Sequence, residues 1–315
     1  SAPVPKTTSP AYLYPEDCVP TRSTGFFTHN ALYEVNVPQA DRIEVVKGPA
    51  SALYGSDAIG GTVNVSTRAP GTGPALSGTV EGGAFGWGRL LASATATRGS
   101  DAVRLDVNAT RTDGWRDGTA YDRQSGTVRW DRRLGAATTL RTVASYSRID
   151  QQTAGSSAIS RDDYLSNPTA NYTPISFRKV QAFRLSSALE HITATTLYSA
   201  TPFVRWNTME MLPNWTLAFD PQVSESGHRS IGALLKVRRD LAPLRARVIA
   251  GADIEYSPGS RFERRITPLR DGPVFTAYTD GDATYDYDVA FQGVSPYVQA
   301  EAAPVDVLHA ADVGA

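Results

Sequence analysis

The sequence predicts an all-β fold, a partial antiparallel transmembrane β-barrel of about ten or eleven strands behind a smaller strand-and-turn unit. Strand-like runs recur near residues 76–84, 88–98, 101–112, 121–133, 137–149, 178–189, 193–206, 228–239, 245–256 and 289–302, with an eleventh starting at Asp306–Val313. Their connections alternate in length. Those around Arg98–Asp101, Arg133–Ala137, Glu190–Ile192, Asp240–Leu244 and Ala303–Val305 are short, whereas Thr112–Ala120, Asp150–Phe177, Asn207–Gly227 and Ser257–Asp288 are long. Short turns on one rim and long loops on the other are the asymmetry of outer-membrane barrels. Within the runs, Val103, Leu105, Val107 and Ala109 alternate with Arg104, Asp106, Asn108 and Thr110, and Phe183, Leu185 and Leu189 with Arg184, Ser186 and Ala188. One face suits lipid and the other a wet lumen. A half-buried sheet of a soluble protein alternates too, so the aromatic residues matter. Trp130, Tyr146, Trp206, Tyr256 and Tyr297 fall at or near strand ends, where interfacial girdles place amphipathic rings. Trp87 and Trp115 lie closer to turns.

Composition is compatible with this reading and removes several others. The chain has 315 residues and a formal net charge of −1, with a mean hydropathy of −0.28. A balance so near zero gives no reason to expect nucleic acid as a partner. Cys18 is the single cysteine, so no intrachain disulfide and no multi-cysteine zinc site can form. No run of about 18 apolar residues offers a transmembrane helix. The start, Ser1-Ala2-Pro3-Val4-Pro5-Lys6, lacks a basic segment followed by an apolar one, and the end, Val313-Gly314-Ala315, interrupts a strand-like run. Both ends read as cut.

Two units follow, residues 1–70 and 71–315. Residues 1–10 are rich in Pro, Ser and Thr and read as irregular. Tyr12–Arg22 reads as a strand and turn, and Ser23–Tyr33 as a loop of aromatic and hydrogen-bonding residues. Ala40–Arg68 is a strand–turn–strand element. Ile43 and Val45 share one face of its first strand, and Arg42, Glu44 and Val46 the other. Gly48-Pro49 ends that strand, because proline has no donor for a ladder. Gly55, Gly60 and Gly61 permit positive φ or close backbone approach on the return to Val63 and Val65.

Arg42-Ile43-Glu44-Val45-Val46-Lys47-Gly48-Pro49-Ala50-Ser51-Ala52-Leu53-Tyr54-Gly55, followed by Ala58-Ile59-Gly60-Gly61-Thr62-Val63-Asn64-Val65, resembles the end of the plug domain of TonB-dependent outer-membrane receptors. Gly48, Pro49, Tyr54, Gly55, Gly60, Gly61 and Asn64 carry the motif. Neither a nucleotide-binding Gly-Lys-Ser/Thr nor a dinucleotide fingerprint is present. Within that resemblance, Tyr12–Arg22 corresponds to the plug strand with an Asp-Gly-Val/Ile-Pro turn, and Cys18 stands where glycine is usual. A cysteine tolerates positive φ poorly, which sets the geometry of that turn as a question for the structure.

The resemblance implies more. Residues 1–70 are the C-terminal part of a plug and residues 71–315 the first half of a barrel of the 22-stranded class. The loop after Arg22 rises outward, with Arg22, Phe26, Phe27, His29 and Asn30 as ligand contacts; packing of Phe26 and Phe27 inside the plug is the alternative. Arg42, Glu44 and Lys47 pair with wall charges or are solvated. The protein resides in the outer membrane, is monomeric, contacts outer-membrane lipid, carries no cofactor, and takes up a scarce bulky ligand such as a ferric siderophore. A TonB-type periplasmic protein, acting through a segment upstream of this chain, supplies the energy. Cobalamin, haem and glycans remain as ligands. A passive channel or surface adhesin is the competing class, and the plug-like segment speaks against it.

Little else points to chemistry. His29, His191, His228 and His309 show no metal-ligand spacing. Met209 and Met211, beside Trp206 and Trp215, read as loop packing. Asp280, Asp282, Asp286 and Asp288 read as a solvated acidic loop tip without the spacing of a calcium loop. No nucleophile–base arrangement stands out, so an enzyme is not expected.

Overall fold

A computed structural model of the chain describes residues 12–23, 34–48, 58, 60–153 and 157–302. They form a small mixed sheet and a ten-stranded antiparallel sheet. In the small sheet, β1 (Tyr12–Leu13), β2 (Pro15–Glu16), β3 (Val19–Pro20) and β4 (Ala40–Lys47) gather around β5 (Gly61–Thr67). Strand β5 pairs in parallel with β1 and β2 and antiparallel with β4. Its place at the centre explains its burial, while β4 is exposed along nearly all its length.

Two glycines are fixed by this packing. Gly61 has φ +137°, and a Cβ there would lie 2.0 Å from the Val46 carbonyl oxygen. Gly48, at φ +96°, turns the chain out of β4 and donates its N–H to the Gly60 carbonyl at 3.0 Å.

The large sheet is a meander: β6 (Ala75–Gly82), β7 (Gly88–Arg98), β8 (Asp101–Thr112), β9 (Tyr121–Arg133), β10 (Thr138–Gln152), β11 (Phe177–Ile192), β12 (Thr196–Leu212), β13 (Gln222–Leu241), β14 (Ala246–Asp271) and β15 (Val274–Ala302). Each strand pairs with the next in the chain. One face meets the small sheet, and the other is an apolar band. On β8, Val103, Leu105 and Val107 are exposed, while Asp106 and Asn108 are 4% and 1% exposed on the opposite face. The same period places Val128, Phe183, Leu189, Val204, Ile231 and Ile254 on the outer face. Tyr146, Phe183 and Trp206 are consecutive cross-strand neighbours there, an aromatic row of the kind that marks a membrane interface.

The strands run well past that row. Asn207–Gly227 and Ser257–Asp288, expected as long loops, are largely strand, because β12 to β15 extend outward as tall hairpins. From Tyr256 to Asp271, β14 adds about 50 Å at ~3.3 Å per residue. The sustained lipid-facing alternation that reveals a membrane strand is absent there, and polar, turn-like residues interrupt the apolar ones. Leu212, Leu217, Val223, Ile266 and Phe275 form a core of their own among these outer segments, with Ile175, Phe177 and Tyr278 against it. A single helical turn, α1 (Arg161–Ser166), is capped by Ser160, whose side chain accepts from the Asp163 N–H.

Other expectations also shift. Tyr297 pairs with Gly251 on β14, on the same face as Glu255, so it faces inward and is not part of a lipid girdle. His191 lies at the end of β11, with its Nδ1 2.8 Å from Thr138 Oγ1. Met209 and Met211 are buried on β12, and Met209 packs with Ile149 and Val180. Asp280 is on β15, 3.2 Å from Arg264 Nε.

Candidate functional site

The small sheet is fastened to the inner face of the large one by polar contacts. Glu16 on β2 is buried and receives the Ser145 hydroxyl at 2.7 Å and Arg184 Nε at 3.1 Å. Glu34 is 0% exposed and receives Arg22 Nε at 2.9 Å and Asn207 Nδ2 at 2.8 Å. Arg184 Nη1 lies 3.6 Å from the second Glu34 oxygen. One guanidinium of the wall thus bridges two carboxylates of the small sheet's unit.

Wall side chains also reach backbone carbonyls of that unit. Arg205 Nη1 donates to Pro20 O at 2.6 Å, Ser147 Oγ to Glu34 O at 2.6 Å, Arg123 Nη2 to Val35 O at 2.6 Å and Arg129 Nη1 to Thr67 O at 2.8 Å. In the reverse sense, Gln39 Nε2 donates to Ala92 O at 2.8 Å. Arg205 is additionally paired with Glu255 of the wall. The register explains the clustering, since Ser145 pairs with Arg184 and Arg184 with Arg205 across three adjacent strands.

Arg22 and Glu34 flank residues 24–33, so their ion pair closes the stem of the loop expected to meet ligand. Arg22 is 6% exposed and is held in this stem. Phe26, Phe27, His29 and Asn30 lie outside the described residues, as do Pro49, Tyr54 and Gly55. Arg42 and Glu44 bond each other at 2.9 Å in exposed positions on β4, and Lys47 is exposed. Among the described residues the side chains that meet the wall instead include Glu16, Glu34, Asn36 and Gln39.

Asn64 does have a clear place. Its Oδ1 accepts the Cys18 N–H at 3.0 Å and its Nδ2 donates to Glu44 at 3.1 Å, tying the β2–β3 turn to β4 through β5. That turn has positive φ at both central residues, 48° at Asp17 and 69° at Cys18, the pattern of a type I′ hairpin. Cys18 therefore adopts the glycine conformation. Asp17 accepts the Thr67 N–H at 3.0 Å, and burial pushes its carboxyl above the usual range despite bonds from Thr67 that pull it down.

Glu16, Glu34, Arg123, Arg184, Arg205 and Asn207 were not among the expected site residues. A usable signal was present in the last four. Each falls on the lumen side of its strand's alternation, where Ser and Ala would suffice. Among the described residues no group of three or more His, Cys, Asp or Glu could hold a metal ion.

Residues 14–62 match the TonB-dependent Receptor Plug Domain family. An iron-regulated outer membrane virulence protein of Vibrio cholerae is 68% identical over 28 residues, covering 9% of this chain and 4% of that protein. The chain therefore carries a TonB-dependent receptor plug domain, with the ten-stranded meander seated against it. Among solved structures, the unliganded ferric citrate transporter FecA superposes with a TM-score of 0.76 at 15% identity, over 95% of this chain and 46% of that one. The ferripyoverdine receptor of Pseudomonas aeruginosa gives 0.72 at 15% identity, over 93% and 44%. The copper transporter OprC gives 0.66 at 14%, over 92% and 44%. These likenesses concern the fold, and the chain spans less than half of each. The plug match, the Vibrio relative and the shared fold place the chain in the bacterial outer membrane.

Proposed function

We propose that this chain belongs to a receptor that takes up a scarce bulky ligand, an iron–siderophore complex, with energy from a TonB-type periplasmic protein. The observation that carries the reading is the plug fastened across the inner wall by hydrogen bonds and ion pairs. A passive channel has no use for such a closure. Residues 1–70 act as the plug portion and 71–315 as barrel wall in contact with outer-membrane lipid, in a monomer without catalytic function. Iron is favoured by the names of the Vibrio relative, the ferric citrate transporter and the ferripyoverdine receptor.

The ligand meets Phe26, Phe27, His29 and Asn30 of the plug loop together with the tall outer hairpins. Enclosure by many moderate contacts suits a large chelate. Arg22 serves this site through the loop stem. The test replaces Phe27, His29 and Asn30 with Ala in the complete receptor, leaving Arg22 in place. Binding of ferric citrate or ferripyoverdine, whichever the parent binds, should weaken at least ten-fold, with outer-membrane insertion intact. Removing the TonB-type partner from the host should leave binding and stop uptake. Unchanged affinity in the loop variant would place the site in the barrel loops alone, and uptake without the partner would overturn the energised mechanism.

A further inference from the structure

The wall contacts to Glu16 and Glu34 have a chemistry of their own. Ser145 on β10, Arg184 on β11 and Asn207 on β12 aim a hydroxyl, a guanidinium and an amide at two carboxylates, at 2.7, 3.1 and 2.8 Å. Donors from three adjacent strands, all nine-tenths or more buried, make a preformed cradle for anions of carboxylate type. Its occupants belong to the plug. Arg205 next to it keeps the wall's own Glu255, whereas the acids ion-paired with Arg184 are both plug residues. When the plug moves, Arg184 therefore loses two carboxylates at once, in a confined lumen where an uncompensated guanidinium is costly.

We propose that Ser145, Arg184 and Asn207 form a carboxylate-binding site on the barrel wall, filled at rest by Glu16 and Glu34 and offered to a carboxylate-bearing cargo when the plug is displaced. The planar fork of Arg184 reaches both acids, so the site suits a ligand with two carboxylates close together. The plug acids act as placeholders: they neutralise the wall in the closed state, and their departure creates the affinity that draws an anionic ligand inward. This rests on the transport reading above for its physiological meaning, but the site itself is testable at equilibrium without an energy source.

The measurement is plug release from the complete receptor in detergent, followed by protease sensitivity of the plug across a urea titration. Malonate is compared with chloride at equal ionic strength. Anything that binds only the released state favours release. At ten times its Kd, malonate should lower the midpoint by roughly 0.5–1 M relative to its effect on Arg184→Gln, in which the general salt effect remains and the site does not. A second arm uses Glu16→Ala, which vacates one carboxylate position. Formate should raise the thermal midpoint of that variant and not of the parent, and adding Arg184→Gln should abolish the effect. Equal malonate responses in parent and Arg184→Gln, or a formate response that survives loss of Arg184, would overturn the site. Neither result bears on whether uptake needs a periplasmic partner, so the two readings fail separately.

Discussion

Strand β8 offers the sharpest test of which face meets lipid. Leu105 is the second of four apolar outward positions, Val103 to Ala109, and is 42% exposed. Asp106 beside it is 4% exposed on the inner face, where Arg104 donates to both its oxygens at 2.8 Å and Ser93 donates at 2.5 Å. Leu105→Arg places a guanidinium against hydrocarbon, at a cost of about 2–4 kcal/mol near the bilayer midplane. The matched control is Asp106→Asn. An alanine there would strand Arg104, whereas asparagine keeps the shape and one acceptor oxygen, and loses the charge and the second acceptor, about 1 kcal/mol. The assay is equilibrium folding of the complete receptor into lipid vesicles by urea titration, with heat-modifiable gel mobility as the check on barrel formation. With a denaturant slope of about 1–3 kcal/mol/M, Leu105→Arg should shift the midpoint down by roughly 1–2 M and Asp106→Asn by a third of that or less. Equal shifts, or a larger one for Asp106→Asn, would mean that β8 is turned the other way and that the apolar band is not the lipid face.

Two further predictions concern the β2–β3 turn. Cys18 sits at φ 69°, a conformation costing a non-glycine residue about 1–2 kcal/mol. Glycine removes that strain but is more disordered when unfolded, by about 0.4–1 kcal/mol. Cys18→Gly should thus raise plug stability by roughly 0.5–1 kcal/mol, measured as later protease sensitivity in urea; a loss of stability would show that the thiol has a packing role. Burial raises the Asp17 carboxyl above its ordinary value of 3.8. The folded plug then holds this proton more tightly than the unfolded chain, so the contribution is fully present below pH 3.8 and is lost as pH rises through the folded value. Asp17→Asn should flatten that part of the pH profile of plug release, while leaving the Thr67 N–H an acceptor. An unchanged profile would assign the dependence to another acid.

Sequence periodicity located the membrane strands because lipid imposes a period of two on every residue it touches. Strands β7, β8 and β9 begin and end where the alternation does. Above the aromatic row that constraint ends, and β14 and β15 continue through polar sequence such as Thr279–Asp288, held by ladder pairing and the Arg264–Asp280 ion pair. Nothing in a single strand's composition announces a partner strand there. The plug motif was legible for a different reason, since Gly48 and Gly61 meet backbone constraints that only glycine satisfies. The lumen-side position of the wall residues was legible but their pairing with the plug was not, because it joins residues as distant as Glu16 and Arg184. Of the two roles open to the β4 charges, Arg42 and Glu44 take the solvated one, as neighbours on one strand face that pair with each other.

The character of the plug–wall interface suits the displaceable closure proposed above. Wall side chains address the plug carbonyls of Pro20, Glu34, Val35 and Thr67 and the carboxylates of Glu16 and Glu34. The neutral bonds contribute only about 0.5–1.5 kcal/mol net and those from guanidinium groups about 1.5–3 kcal/mol, because water replaces them when the surfaces part. An apolar interface of the same extent would resist wetting and would expose sticky surface each time it opened. The buried ion pairs add little net stability but penalise any misplacement strongly, since an acid moved off Arg184 is left uncompensated. A plug held in this way is specific in its seat and inexpensive to wet, which is the combination that a repeatedly displaced closure requires.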